Sequence, residues 1–189
     1  DMKTASSALR AGCAMALLAL IAAGGEAQAK VDGIAGSGIG SASDPRTFNL
    51  VAKDASLVTG DGNTIYAWGY ADASTGTMQY PGPTLIVNQG DTVRINLANA
   101  LPVASMPVSI VFPGQKGVAA ACTPAGAGSL DGVLTREVVP GHPVSYTFVA
   151  SAPGTYQANT GSTPSLQVTM GPDGAAIVPP HGSDRRHTP

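Results

Sequence analysis

Histidine and cysteine are scarce in this chain, and that scarcity excludes more than any motif asserts. Three histidines and two cysteines occur among 189 residues, so a dense disulfide framework and a cluster-type thiolate metal site are both excluded. Charge is sparse as well. Ten Lys and Arg stand against twelve Asp and Glu, and no basic stripe exists to neutralise phosphates, so nucleic acid is not an expected partner. Beyond residue 29 there is no sustained apolar period of 3.6, so a helical bundle is not expected. No Ser-His-Asp set, paired carboxylate or phosphate-cradling loop can be assembled from the residue types present.

The single long apolar run covers residues 11–23. Lys3 and Arg10 precede it, and Ala27-Gln28-Ala29 follows with the small-x-small pattern of a cleavage site. A membrane anchor needs roughly 20 apolar residues, and this run is shorter. Residues 2–29 therefore read as a secretory signal peptide cut after Ala29. The expectation is an exported protein, periplasmic or extracellular, with no membrane attachment after cleavage. Only Cys122 then remains, as a loop or core thiol or as one half of a bond to another chain.

Residues 30–45 are rich in glycine and serine and read as a flexible arm. Residues 46–180 have the texture of short strands broken by Gly, Pro, Asn and Asp. Strands are expected at 47–52, 64–70, 84–88, 92–99, 107–112, 133–139, 144–150, 154–160, 166–170 and 175–178. Asp61-Gly62-Asn63 is a strong turn signal between the first two. Val93, Ile95 and Leu97 alternate with Arg94, Asn96 and Ala98, the period of two of a sheet wet on one side. Val144, Tyr146 and Phe148 repeat the pattern, and Pro140-Gly141-His142 predicts a hairpin joining 133–139 to 144–150. Residues 118–130 read as loop, because Pro124, Gly126 and Gly128 interrupt them. The sum is an all-β domain, a Greek-key sandwich or barrel. Residues 181–189 read as a polar tail or the start of an interdomain linker.

Three blocks together resemble the N-terminal cupredoxin domain of multicopper oxidases. They are Tyr80-Pro81-Gly82-Pro83-Thr84-Leu85-Ile86-Val87 with Gln89-Gly90-Asp91-Thr92-Val93; Pro140-Gly141-His142-Pro143-Val144 followed by Gly154-Thr155-Tyr156; and Gln167-Val168-Thr169-Met170-Gly171 running into Gly174-Ala175-Ala176-Ile177-Val178. The resemblance implies a cupredoxin fold and a copper-dependent oxidoreductase. It also implies two His-x-His pairs, since alternate strand residues point the same way and copper takes neutral imidazole. The first pair falls on Val111-Phe112-Pro113-Gly114 and the second on Asn159-Thr160-Gly161, and no histidine stands at either.

The remaining candidates each carry a plainer reading. Cys122 has no histidine within ten residues, so a type 1 copper set is not expected there. Met170 alternates with Val168 and Leu166 and reads as core; His142 reads as a solvated turn residue. His181 and His187 sit in the tail, where two ligands do not define a site. Asp61 and Asp131 are single carboxylates in turns. No catalytic, cofactor-binding or metal-binding residue is therefore assigned, and copper is implied by resemblance alone. Two functions fit: the structural N-terminal domain of a larger copper-dependent oxidoreductase, or a stand-alone non-catalytic exported β-domain. The partners expected are further cupredoxin domains or identical subunits, met through sheet edges.

Overall fold

The computed structural model describes residues 33–103, 106–122 and 130–180. The signal peptide, His181 and His187 lie outside them. Among the described residues, twelve strands and one short helix form two five-stranded sheets packed face to face, with a small two-stranded ribbon beside them. The first sheet runs β1 (Gly33–Ala35), β4 (Thr84–Ile86), β12 (Asp173–Val178), β11 (Gly154–Thr160), β6 (Ile110–Val111). The second runs β3 (Thr64–Asp72), β2 (Arg46–Val58), β5 (Thr92–Asn99), β10 (Val144–Val149), β7 (Ala119–Cys122). The ribbon pairs β8 (Leu130–Asp131) with β9 (Arg136–Glu137).

The period of two decides which side chains enter the core. Val93, Ile95 and Leu97 of β5 are fully buried, as are Val144 and Tyr146 of β10. Phe48 and Leu50 of β2 meet them, and Phe112 packs its ring on Phe148 at 5.1 Å between centroids. Truncating one such aliphatic side chain to Ala costs about 3 kcal/mol. The turn at residues 61–63 forms as expected. The Asn63 amides donate to Asp61, Thr59 N–H donates to Asn63 O at 2.8 Å, and Gly62 takes φ 82°. Tyr156 sends its hydroxyl back to Ala152 O at 3.0 Å.

Four expectations are corrected. Residues 33–35 of the supposed flexible arm form β1, paired parallel with β4. Arg46 donates to the carbonyls of Gly36 and Gly38 and pairs with Asp91, and Thr92 N–H donates to Gly40 O at 2.7 Å. Composition could not register those long-range donors. The 133–139/144–150 hairpin does not form. Strand β10 pairs instead with β5 on one side and β7 on the other, and β7 comes from the stretch read as loop. Its alanines have little strand propensity, but β10 needs a partner for its other edge and β7 satisfies it. Residues 133–139 keep only β9 and single bridges from Val138 to Val108 and from Val139 to His142.

The fourth correction concerns 166–170, read as a strand. It is a helix, α1 (Pro164–Met170). Pro164 suits its first turn, and Gly171 closes it at φ 103° with its N–H on Gln167 O. Leu166 and Val168 are consequently exposed, and the inward side chain is Gln167. Met170 does pack against the main core, but from a helix end rather than from a strand face.

Candidate functional site

Strand register brings together the two places to which copper-binding pairs were assigned. Val111 of β6 lies directly opposite Asn159 of β11, and Asn159 lies opposite Asp173 of β12. Directly paired residues share a face, with Cβ atoms about 5 Å apart. A three-strand row therefore runs Val111, Asn159, Asp173 across the outer face of the first sheet. Gln157, two residues before Asn159, stands on the same face, and Asn159 Nδ2 donates to its Oε1 at 3.4 Å.

A pocket of about 360 Å³ covers this row. Tyr80, Leu134 and Val168 form its apolar walls. The Tyr80 ring lies against the cap of α1, where a Cβ on Gly171 would collide with it. Glycine is thus required there both for the left-handed backbone and for the ring's position. Asp173 is the single carboxylate of the lining. Burial raises its pKa above the ordinary carboxylate value, its own backbone N–H offsets part of that rise, and no cation pairs with it among the described residues.

Beneath the row, facing inward, is a second polar group. Thr160 donates to Gln167 Oε1, and Gln167 Nε2 donates to Pro107 O at 2.8 Å. Ser109 and Ser162 share a hydrogen bond of 2.9 Å, and Tyr70 donates to Ser109 O at 2.9 Å. Ser109, Ser162 and Gln167 are wholly inaccessible to solvent. This cluster fastens α1 to β6 and β11. Gly161 is pinched within it, since a Cβ there would stand 2.8 Å from both Ser109 Oγ and Val111 Cγ1. A side chain larger than hydrogen at 161 requires these strands to shift.

The other sequence candidates lie apart from the row. His142 is exposed in its turn, with its N–H on Val139 O. Cys122 is half-buried on the edge strand β7, and Arg136 donates to its Sγ at 3.3 Å. Asp131 pairs with Arg136 at 3.1 Å. Asp61 is held below the ordinary carboxylate range by hydrogen bonds from Thr59 and then Asn63. Among the described residues, no three His, Cys, Asp or Glu side chains cluster to hold a metal ion. Sequence reasoning missed Tyr80, Asp173 and Gln167. The one signal available for Gln167 was an amide flanked directly by Leu166 and Val168; Asp173 was indistinguishable from a turn residue.

A family model described as multicopper oxidase matches residues 63–183. The chain belongs to the multicopper oxidase family. Among curated proteins it is 31% identical over 136 residues to a copper-containing nitrite reductase of Alcaligenes xylosoxydans xylosoxydans, covering 70% of this chain and 36% of that protein. It is 32% identical over 137 residues to the copper-containing nitrite reductase of Pseudomonas chlororaphis, covering 70% and 32%. The chain thus spans about a third of the length of these relatives. Among solved structures, a multicopper oxidase superposes with a TM-score of 0.56 at 26% identity, covering 79% of this chain and 48% of the other. The copper nitrite reductase of Nitrosomonas europaea gives 0.56 at 26% identity, covering 73% and 42%. Family and fold agree with the two packed sheets. The expected cupredoxin-type all-β architecture is therefore correct, and family membership places the Val111–Asn159–Asp173 row within a multicopper oxidase domain.

Proposed function

We propose that this chain is a multicopper-oxidase-like cupredoxin domain of an exported protein that supplies no copper ligands of its own. Within a larger copper-dependent oxidoreductase it serves as the structural N-terminal domain. The observation that carries the reading is the chemistry of the row. Val111 offers an alkyl group, Asn159 and Gln157 offer amides, and Asp173 offers one carboxylate. Copper in this family's chemistry needs imidazole or thiolate donors, and amide oxygen is a poor substitute. The residues present do not fit the metal, so no redox step is routed through this domain. Pinched Gly161 supports the same reading, since a ligating side chain at that position would meet Ser109 and Val111.

The domain's contribution is then to pack against neighbours. Short edge strands are available for this at β6 and β7, and the partners are further cupredoxin domains or identical subunits. The short coverage of the relatives favours the larger protein over a stand-alone domain. An antibody raised against this domain, used to recover the protein from its source, tests the reading by intact mass and N-terminal sequencing. The expected product is markedly heavier than 18.8 kDa and begins at Lys30. A product lighter than the chain supports the stand-alone domain instead, and one that retains residues 2–29 removes the export reading.

A further inference from the structure

The outer face of the first sheet poses a question that a structural role leaves unanswered. Its strand residues include Thr84, Ile86, Ala175, Ile177, Thr155 and Gln157, and its only strand charge is Asp173. That lone carboxylate is exposed on the lining of a pocket that also includes the Tyr80 ring, and among the described residues no Lys or Arg pairs with it. Beside it, Asn159 lines the pocket and donates from its NH2 to Gln157, so its carbonyl oxygen is the group it has to offer a ligand as an acceptor. A carboxylate, an amide oxygen and a tyrosine ring all attract the same thing, a compact donor-bearing cation. Leu134 and Val168 add apolar surface for an aliphatic stem.

We propose that this pocket binds an alkylammonium group, with the ammonium between Asp173 and Asn159 and the stem along Leu134 and Val168. The size agrees, because about 360 Å³ lies within the range of small-molecule sites. Competing ligand classes fit less well. An anion meets the Asp173 charge. A hard divalent ion requires six or more oxygens, and the lining offers one carboxylate with two amides. A neutral ligand leaves the carboxylate unpaired. The ammonium comes either from a free aliphatic amine or from a lysine side chain presented by a protein partner; the chemistry recognised is the same. The proposal rests on the reading that no copper is held at these positions, and metal analysis of the same sample reports on that reading independently.

The test is an NMR titration of the full chain, following the side-chain amides of Asn159 and Gln157. Pentylammonium, 1-pentanol and a doubly capped lysine amide are compared at one pH. The expected result is saturable shifts at these amides, with pentylammonium bound about fivefold more tightly than the alcohol. Asp173→Asn removes that advantage, Tyr80→Leu reduces it while keeping the carboxylate, and Asp61→Asn in the distant turn leaves it unchanged. Retention of a dispersed spectrum by each variant separates lost binding from lost folding. Tighter binding of the capped lysine than of pentylammonium assigns the site to a protein partner, and the reverse assigns it to a free amine. Equal binding of alcohol and ammonium, or full ammonium affinity in Asp173→Asn, overturns the proposal.

Discussion

Two hydrogen-bonded networks of similar chemistry lie on opposite sides of this molecule. On the outer face of the second sheet, Asn96 donates to Asn49 at 2.8 Å and accepts from Ser145 at 2.6 Å, linking β2, β5 and β10. Under the first sheet, Thr160, Gln167, Ser109 and Ser162 link β6, β11 and α1. Both are built from amides and hydroxyls. The first lies at the surface, with Asn49 exposed and Asn96 and Ser145 half-buried, so water can replace its broken bonds. The second is buried, so a broken bond leaves an unpaired polar group in an apolar setting. Burial, not bond count, sets what each is worth. The buried network also holds in place the strands that carry Val111, Asn159 and Asp173.

Substitutions can break this contrast in graded steps. Gln167→Leu takes the donor from the buried Pro107 carbonyl and leaves the Thr160 hydroxyl only its bonds with Ser162, and it is expected to cost about 3 kcal/mol by urea unfolding. Gly161→Ala forces a methyl against Ser109 and Val111, with an expected cost of about 2 kcal/mol. Asn96→Ala, on the open face, is expected to cost about 0.5 kcal/mol. If Asn96→Ala proved as damaging as Gln167→Leu, burial would not be what separates the two networks.

The smallest effect has the opposite sign. Burial raises the Asp173 pKa in the folded chain, so the folded state holds this proton more firmly than the unfolded state. Its contribution to stability is therefore greatest below the unfolded pKa. It declines as pH rises from the unfolded value to the folded one, and stays low above. Asp173→Asn removes that decline. Because Asp173 is exposed and its charge is screened by solvent, at neutral pH the variant is expected to equal or slightly exceed the parent, by no more than about 0.5 kcal/mol. Unfolding midpoints measured across the carboxylate range check both the sign and the flattened profile.

The pleated core was legible because its signal is local. Alternation in β5 and β10 named Val93, Ile95, Leu97, Val144 and Tyr146 as core, and all are fully buried. What stayed hidden depends on pairing between distant segments. Strand β7 exists because β10 has an edge to satisfy, not because Ala119–Cys122 favours extension. The arm is held through Arg46 and Asp91. Helix α1 was mistaken for a strand because seven residues are too few to separate a period of 3.6 from one of two. For the site, the sequence placed Val111 and Asn159 at corresponding positions, and register brought them into contact range. Asp173 joined them only through the β11–β12 pairing, which no local pattern announces.

The claim on which the account rests most heavily is that a multicopper oxidase domain here supplies no copper ligands. Its most direct test is metal analysis of the full chain, produced with added copper and passed over a chelating resin. The account predicts copper far below one ion per chain and no visible absorption attributable to copper. Stoichiometric copper that survives the resin, and is lost on Asn159→Leu or Asp173→Asn, would contradict it.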